Sequence, residues 1–169
     1  PFLEQDPEEI ARMLQVNCTA PAVLARLLLP RLCARGRGGV VWVASTAAYQ
    51  PTPWMSVYGA TKGFDLLLGE SLAAETGPRG VDMITVSPGH TATEFHAIAG
   101  IQGAVLGSAA DPGDVVRETL RRLGRTRSFV HGWGNKLMVA AERCLPRRAV
   151  AAISGRLLRA RLQPATPHA

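Results

Sequence analysis

Lysine is nearly missing from this chain. Of its 19 basic residues, only Lys62 and Lys136 are not arginine. Cysteine is scarce too. Cys18, Cys33 and Cys144 are odd in number, widely spaced and without metal-ligand spacing. That pattern excludes a disulfide-stapled scaffold and fits a reducing, cytoplasmic compartment. His90, His96 and His131 also lack ligand spacing, so no metal is expected. Long apolar runs are absent. The stretches 23–29 and 137–141 are short and bounded by charge, and neither is expected to span a bilayer. No secretory signal is visible, and the opening Pro1-Phe2-Leu3-Glu4 reads as the start of a fragment or processed chain. No G-x-S-x-G is present, so Ser45 in V-A-S-T-A has no nucleophile elbow and a hydrolase is disfavoured.

What is present can bury a core. With 169 residues, 47% of them hydrophobic and 19% charged, a single globular domain is expected. The net charge of +6 is uneven. From Val115 onward there are 12 basic residues and two acidic ones; before it there are 7 basic and 11 acidic. The last third is thus a basic segment on a mildly acidic body. It suits an anionic membrane surface or a solvated Arg-rich face, and nucleic acid is not expected as a partner.

Apolar periodicity places the elements. Asp6-Pro7-Glu8-Glu9 is a helix start, with Asp6 as cap and Pro7 in the first turn. The helix runs to about residue 35 and contains Pro21, which has no N–H to give to the Asn17 carbonyl. A simple proline kink is expected there, leaving that carbonyl free to hold a water. Gly36-Arg37-Gly38-Gly39 is a turn. Val40-Val41-Trp42-Val43-Ala44 reads as a buried parallel strand, ended by Ser45. A helix follows over 54–75, then a strand over 81–86 broken by Ser87-Pro88-Gly89. Residues 90–107 read as a mobile loop over a site. A helix over 111–123, a short strand over 128–130 and two Arg-rich helices over 135–145 and 147–162 complete the chain. Helices alternating with apolar strands define an α/β fold with a narrow, three-stranded parallel sheet.

The chemistry centres on Tyr58-Gly59-Ala60-Thr61-Lys62. Tyr and Lys at i and i+4 share a helix face. A free phenol titrates near 10, and a nearby ammonium is expected to bring it down toward the working range of an acid/base catalyst. The alternative is a surface Tyr and Lys on an amphipathic helix. Sites in parallel α/β sheets lie at the carboxyl ends of the strands, where Ser45 and Pro88-Gly89 fall. Asn17, Ser45, Tyr58 and Lys62 can therefore converge on one crevice.

Ser45, the Pro51/Pro53 loop, Tyr58 thirteen positions after Ser45, and Lys62 resemble the short-chain dehydrogenase/reductase family. Val16-Asn17 with Pro21 and Ser87-Pro88-Gly89-His90-Thr91-Ala92-Thr93 extend the resemblance to about residue 134. Thr91 stands where the family usually has Val or Ile. The resemblance implies a partial Rossmann-like, doubly wound sheet with flanking helices. It implies an NAD(P)-dependent oxidoreductase interconverting an alcohol and a ketone or aldehyde, with NADP or NAD as cofactor. Tyr58 is implied as the general acid/base. Ser45 is implied to hold the substrate oxygen, Lys62 to lower the Tyr58 pKa and bind the nicotinamide ribose, and Asn17 to hold a relay water. Tyr58, Lys62, Pro88, Gly89, Thr91 and Thr93 are implied at the cofactor.

One departure matters. The glycines at 36–39 precede a strand, whereas a dinucleotide fingerprint follows one. The Gly-rich turn of the family, and about three βα units of roughly 30 residues each, have no counterpart here. Residues 1–134 are read as the catalytic half of a longer enzyme, 135–162 as basic C-terminal helices, and 163–169 as a disordered tail. The alternative is a non-catalytic fragment or binding module that cannot hold cofactor alone. The strand at Val40 is expected to have an unpaired edge. The resemblance implies a homo-oligomer through helices 7–35 and 54–75. The substrate is expected to be a small, hydrophobic carbonyl or alcohol, from the apolar stretch 97–107. The basic helices are expected to pack as core through Trp133, Leu137 and Met138, to cover the substrate pocket, or to rest weakly on a membrane.

Overall fold

The structure, a computed structural model, describes residues 1–94 and 109–161. The expectations for His96, most of the 90–107 loop and the 163–169 tail lie outside the described residues. Strands β1 (Gly38–Val43), β2 (Val81–Ser87) and β3 (Ser128–Val130) form one parallel sheet in that order. Six α-helices accompany it among the described residues. They are α1 (Pro7–Leu14), α2 (Ala20–Arg35), α3 (Ser56–Thr76), α4 (Pro112–Arg122), α5 (Trp133–Cys144) and α6 (Arg147–Arg159).

The period-2 alternation of β2 explains why helices lie on both faces. Val81 and Met83 face one side and pack with Trp42, Leu29 of α2 and Ala73 of α3. Ile84 and Val86 face the other and pack with Val115 of α4 and Phe129 of β3. Central β2 is buried on both sides, as a parallel strand should be. The doubly wound α/β fold expected from the sequence is present.

The strand β1 departs from that expectation. Its Trp42 is buried, but Val41 and Val43 are 40% and 56% exposed. Continuous apolarity was read as two-sided burial; in fact only the face toward α2 and α3 is covered. On the other face a shallow apolar hollow lies between Val41, Val43 and Val116 and Leu120 of α4. Among the described residues β1 pairs only with β2, so its outer edge is open as expected.

The first helix also departs. Asp6 caps it, accepting from the Glu8 N–H at 2.9 Å. Upstream of Pro21, however, Gln15–Thr19 form a π turn in which the Ala20 N–H reaches back to the Gln15 carbonyl. A widened turn, rather than a simple kink, absorbs the proline. Over Pro7–Arg35 this helix is long and apolar enough to cross a membrane, which the 23–29 run alone did not reveal. In this fold its Leu29, Ala25 and Leu32 pack against the sheet. The C-terminal helices correct a third expectation. Trp133 is 80% and Leu137 62% exposed, so neither is core. The helical period puts Asn135, Met138, Glu142 and Leu145 on the inner face instead.

Contact between α3 and the sheet is close. A Cβ at Gly69 would meet the Thr85 hydroxyl and lie 3.0 Å from Trp42 Cγ. Gly69→Ala should therefore destabilise the protein by about 1–3 kcal/mol, as overpacking does. Urea unfolding should show the loss, and an unchanged midpoint would contradict this packing.

Candidate active site

The site forms where β1 and β2 end. The backbone ladder continues past the strands: Ala44 N–H bonds Val86 O at 2.8 Å and Thr46 N–H bonds Pro88 O at 2.9 Å. These bonds hold Ser45 beside Pro88-Gly89. A cavity of 720 Å³ opens at this point. All the expected site residues line it: Asn17, Ser45, Tyr58, Lys62, Pro88, Gly89, Thr91 and Thr93, with His90 beside them. The grouping expected from sequence is what the structure shows.

The links between those residues differ in detail. The Lys62 ammonium donates to the Val43 carbonyl at 2.9 Å and to Asp65 Oδ2 at 3.0 Å. Asp65 is buried, and burial raises its pKa against the pull of Lys62. The ion pair lies within α3, and the Lys62–Val43 hydrogen bond ties it to the last residue of β1. Sequence reading missed Asp65, although its i+3 spacing from Lys62 is a signal.

Tyr58 corrects an expectation. Its pKa is raised, not lowered. Burial is the main cause, because it disfavours the phenolate; the Ser45 hydroxyl, within hydrogen-bond reach, pulls the other way, and Asp65 adds to the rise. Desolvation outweighs the Ser45 hydrogen bond. The Asn17 amide Nδ2 donates to Thr61 Oγ1 at 3.1 Å, and Thr61 Oγ1 donates to the Tyr58 carbonyl at 2.8 Å. Asn17 thus braces the backbone of Tyr58 from the π turn through its side chain. The sequence argument had used only its carbonyl.

The C-terminal helices close the cavity. Ser154 Oγ donates to the Pro51 carbonyl at 2.8 Å, and Trp54 Nε1 donates to the Gly155 carbonyl at 3.0 Å. Trp54 is the non-glycine residue with positive φ (73°) among those described, just before α3. A bulky residue in this region is strained and persists because its surroundings hold it. Met138, Glu142 and Leu145 of α5 and its end, and Val150, Ile153 and Leu157 of α6, supply the remaining wall. Of the three roles weighed for this segment, covering the pocket is the one observed.

An open parallel sheet with helices on both faces and a Ser–Tyr–Lys crevice at the carboxyl ends of its strands defines a doubly wound α/β domain with its site at the sheet edge. Residues 1–100 match the family described as short chain dehydrogenase. The human protein "Dehydrogenase/reductase SDR family member 4" is 34% identical over 115 residues, covering 67% of this chain and 39% of that protein. A solved structure of a 7beta-hydroxysteroid dehydrogenase is 26% identical, with a TM-score of 0.81 over 90% of this chain and 61% of that one. A short chain dehydrogenase from Burkholderia cenocepacia J2315 in complex with NADP is 27% identical, with a TM-score of 0.75 over 94% of this chain and 65% of that one. This chain belongs to the short-chain dehydrogenase/reductase family. It spans 39% of the length of the human relative.

Spectroscopic titration tests the electrostatics. The chain has two tyrosines, Tyr49 and Tyr58. In a Tyr49→Phe background the phenolate of Tyr58 should appear only above the usual range near 10. Adding Ser45→Ala should move it higher still, and Asp65→Asn should move it lower. A Tyr58 titrating below its ordinary value in this background would refute the account.

Proposed function

We propose that this chain carries the catalytic portion of an NAD(P)-dependent oxidoreductase that interconverts a hydrophobic alcohol with its ketone or aldehyde. The observation that carries the proposal is Ser45 within hydrogen-bond reach of Tyr58 in the cavity that Lys62 floors.

The residues present fit the nicotinamide-ribose end of such a cofactor. An ammonium has three donors. Two of those on Lys62 go to Val43 and Asp65, which leaves the third for a ribose hydroxyl. Thr93 lines the same cavity as a further polar contact, and Pro88, Gly89 and Thr91 would shape the wall beside the ring. The relative in complex with NADP supports NADP, and NAD remains the other member of the pair. The bound dinucleotide supplies or accepts the hydride at the substrate carbon.

The other half of the reaction belongs to this chain. In reduction, the Tyr58 O–H gives its proton to the carbonyl oxygen as the C=O π bond opens. Ser45 donates to that oxygen and stabilises its developing charge. The raised pKa of Tyr58 keeps its proton in place at neutral pH until that charge appears. In oxidation the same groups act in reverse. Asn17 and Thr61 keep the Tyr58 backbone fixed, a positioning role.

The protein is proposed to be cytoplasmic, in keeping with its three free cysteines. Association through α2 and α3 is supported by Leu24, Leu27 and Leu28, each more than half exposed along one helix, and by exposed Leu67. Weak contact with an anionic membrane is supported by exposed Trp133 and Leu137 on an Arg-rich segment. Sedimentation should give a dimer or larger, and anionic vesicles should float the protein; a monomer, or protein left at the bottom, would retire the respective proposal.

Activity is the main test. Expressed from its complete reading frame, the protein should oxidise NADPH or NADH with a hydrophobic ketone. Tyr58→Phe should cost at least about a hundredfold in kcat, and Ser45→Ala about 10²–10³-fold. An active enzyme indifferent to Tyr58→Phe would overturn the assignment of Tyr58, and no hydride transfer with either dinucleotide would leave a non-catalytic binding module as the better reading.

A further inference from the structure

Two apolar ridges meet at the mouth of the cavity. On α5 and its end, Trp133, Leu137, Ala141 and Leu145 follow one another at i+4 spacing and share a face. All four are exposed, and the last two also line the cavity. On α6, Ile153 and Leu157 repeat the pattern: both are nearly half exposed, and both line the cavity. An apolar surface thus runs from the outside of α5 into the pocket. Charge surrounds it. Residues 133–161 hold seven basic side chains and one acidic one, Glu142, which faces the cavity. Arg147 and Arg148 follow Leu145, and Arg156 lies three residues from Ile153. No ion pair joins any of the seven to another described residue. Arg143 and Arg159 lie over the rings of Tyr49 and Trp54. Lys136, Arg147, Arg148, Arg156 and Arg161 have no charged partner among the described residues.

The combination selects its partner. A second copy of this face would set like charge against like charge across a two-fold contact. Nucleic acid would pair with the arginines but leave the apolar ridges in water. An anionic bilayer satisfies both: Trp and Leu enter the headgroup boundary while Arg and Lys meet lipid phosphates. We infer that the α5–α6 face seats on an anionic bilayer with the mouth of the cavity at the contact, and that the substrate enters from the lipid. The substrate class is therefore a bilayer-partitioned alcohol or ketone, one reacting oxygen on a long hydrocarbon body. This rests on the oxidoreductase reading of the same cavity and gives the membrane contact proposed above a role in supplying it.

The test uses the protein expressed from its complete reading frame and vesicles of equal parts phosphatidylglycerol and brominated phosphatidylcholine. Their bromines quench a tryptophan that reaches the acyl boundary. Trp133 should be quenched, and the quenching should be lost in Trp133→Phe. Adding Ile153→Trp in that background should restore it, which would put the cavity mouth in the lipid. Vesicles of brominated phosphatidylcholine alone should quench far less, and salt should weaken the effect. Methyl pentadecyl ketone held in the anionic vesicles should be reduced at a rate set by its mole fraction in the lipid. Leu137→Glu should raise the KM for that ketone about tenfold and move the KM for water-soluble cyclohexanone little. Absence of quenching for Trp133 or for Ile153→Trp, or equal quenching by the neutral vesicles, overturns the inference. Absent quenching with a dimer that Leu137→Glu dissociates would make this face a contact between copies instead. An equal loss toward both ketones in Leu137→Glu overturns entry from the lipid. Quenching needs no turnover, so inactivity toward both ketones would count against the oxidoreductase reading alone.

Discussion

One ammonium holds the site in register. Lys62 is the point where the end of β1, through the Val43 carbonyl, meets the interior of α3, through Asp65. The strand end fixes Ser45 and the helix fixes Tyr58, so the bond between those elements sets the distance between the two hydroxyls. Arginine could not replace it without loss. Its planar fork is larger and cannot approach a single carbonyl and a buried carboxylate from one small tetrahedral centre. That gives a physical reason for a lysine in a chain otherwise committed to arginine.

Around this point the molecule is built asymmetrically. On one side of the sheet, Trp42, Val81 and Met83 are closed in by α2 and α3. On the other, Ile84, Val86 and Phe129 are covered by α4, but Val41 and Val43 are not. Ser45, Tyr58 and Lys62 stand at the edge of the well-packed side. Their precision comes from that packing, from the π turn that aims Asn17 at Thr61, and from the ladder bonds that carry β1 and β2 into the loops. The C-terminal helices contribute less to the sheet and more to the cavity wall.

Much of this was legible in the chain. The strands were visible as short β-branched runs, and helix starts such as Asp6-Pro7 and Asp111-Pro112 were visible from their caps. Ser45, Tyr58 and Lys62 were legible because the spacing of a helix and the end of a strand bring them together almost unaided. What was not legible depended on competition between partners. Lys62 had two anionic or polar neighbours available, Tyr58 at i−4 and Asp65 at i+3, and spacing alone could not rank them. The ammonium pairs with the buried carboxylate, and at the phenol burial outweighs the Ser45 hydrogen bond. Trp133 and Leu137 misled because large apolar side chains usually go inside. Their own spacing from Met138 and Glu142 already put them on the opposite face of α5. The open face of β1 could not be read at all, since an apolar strand looks the same whether or not something lies on it.

The backbone of Trp54 has a consequence for how the site comes into being. Its left-handed turn immediately precedes the helix that carries Tyr58, and its indole is anchored by a carbonyl of α6, a hundred residues further along the chain. As the polypeptide leaves the ribosome, the sheet and α3 are made long before that anchor exists. The opening turn of α3 is therefore completed only once α6 has been made and docks, after the strands that α3 packs on have been synthesised.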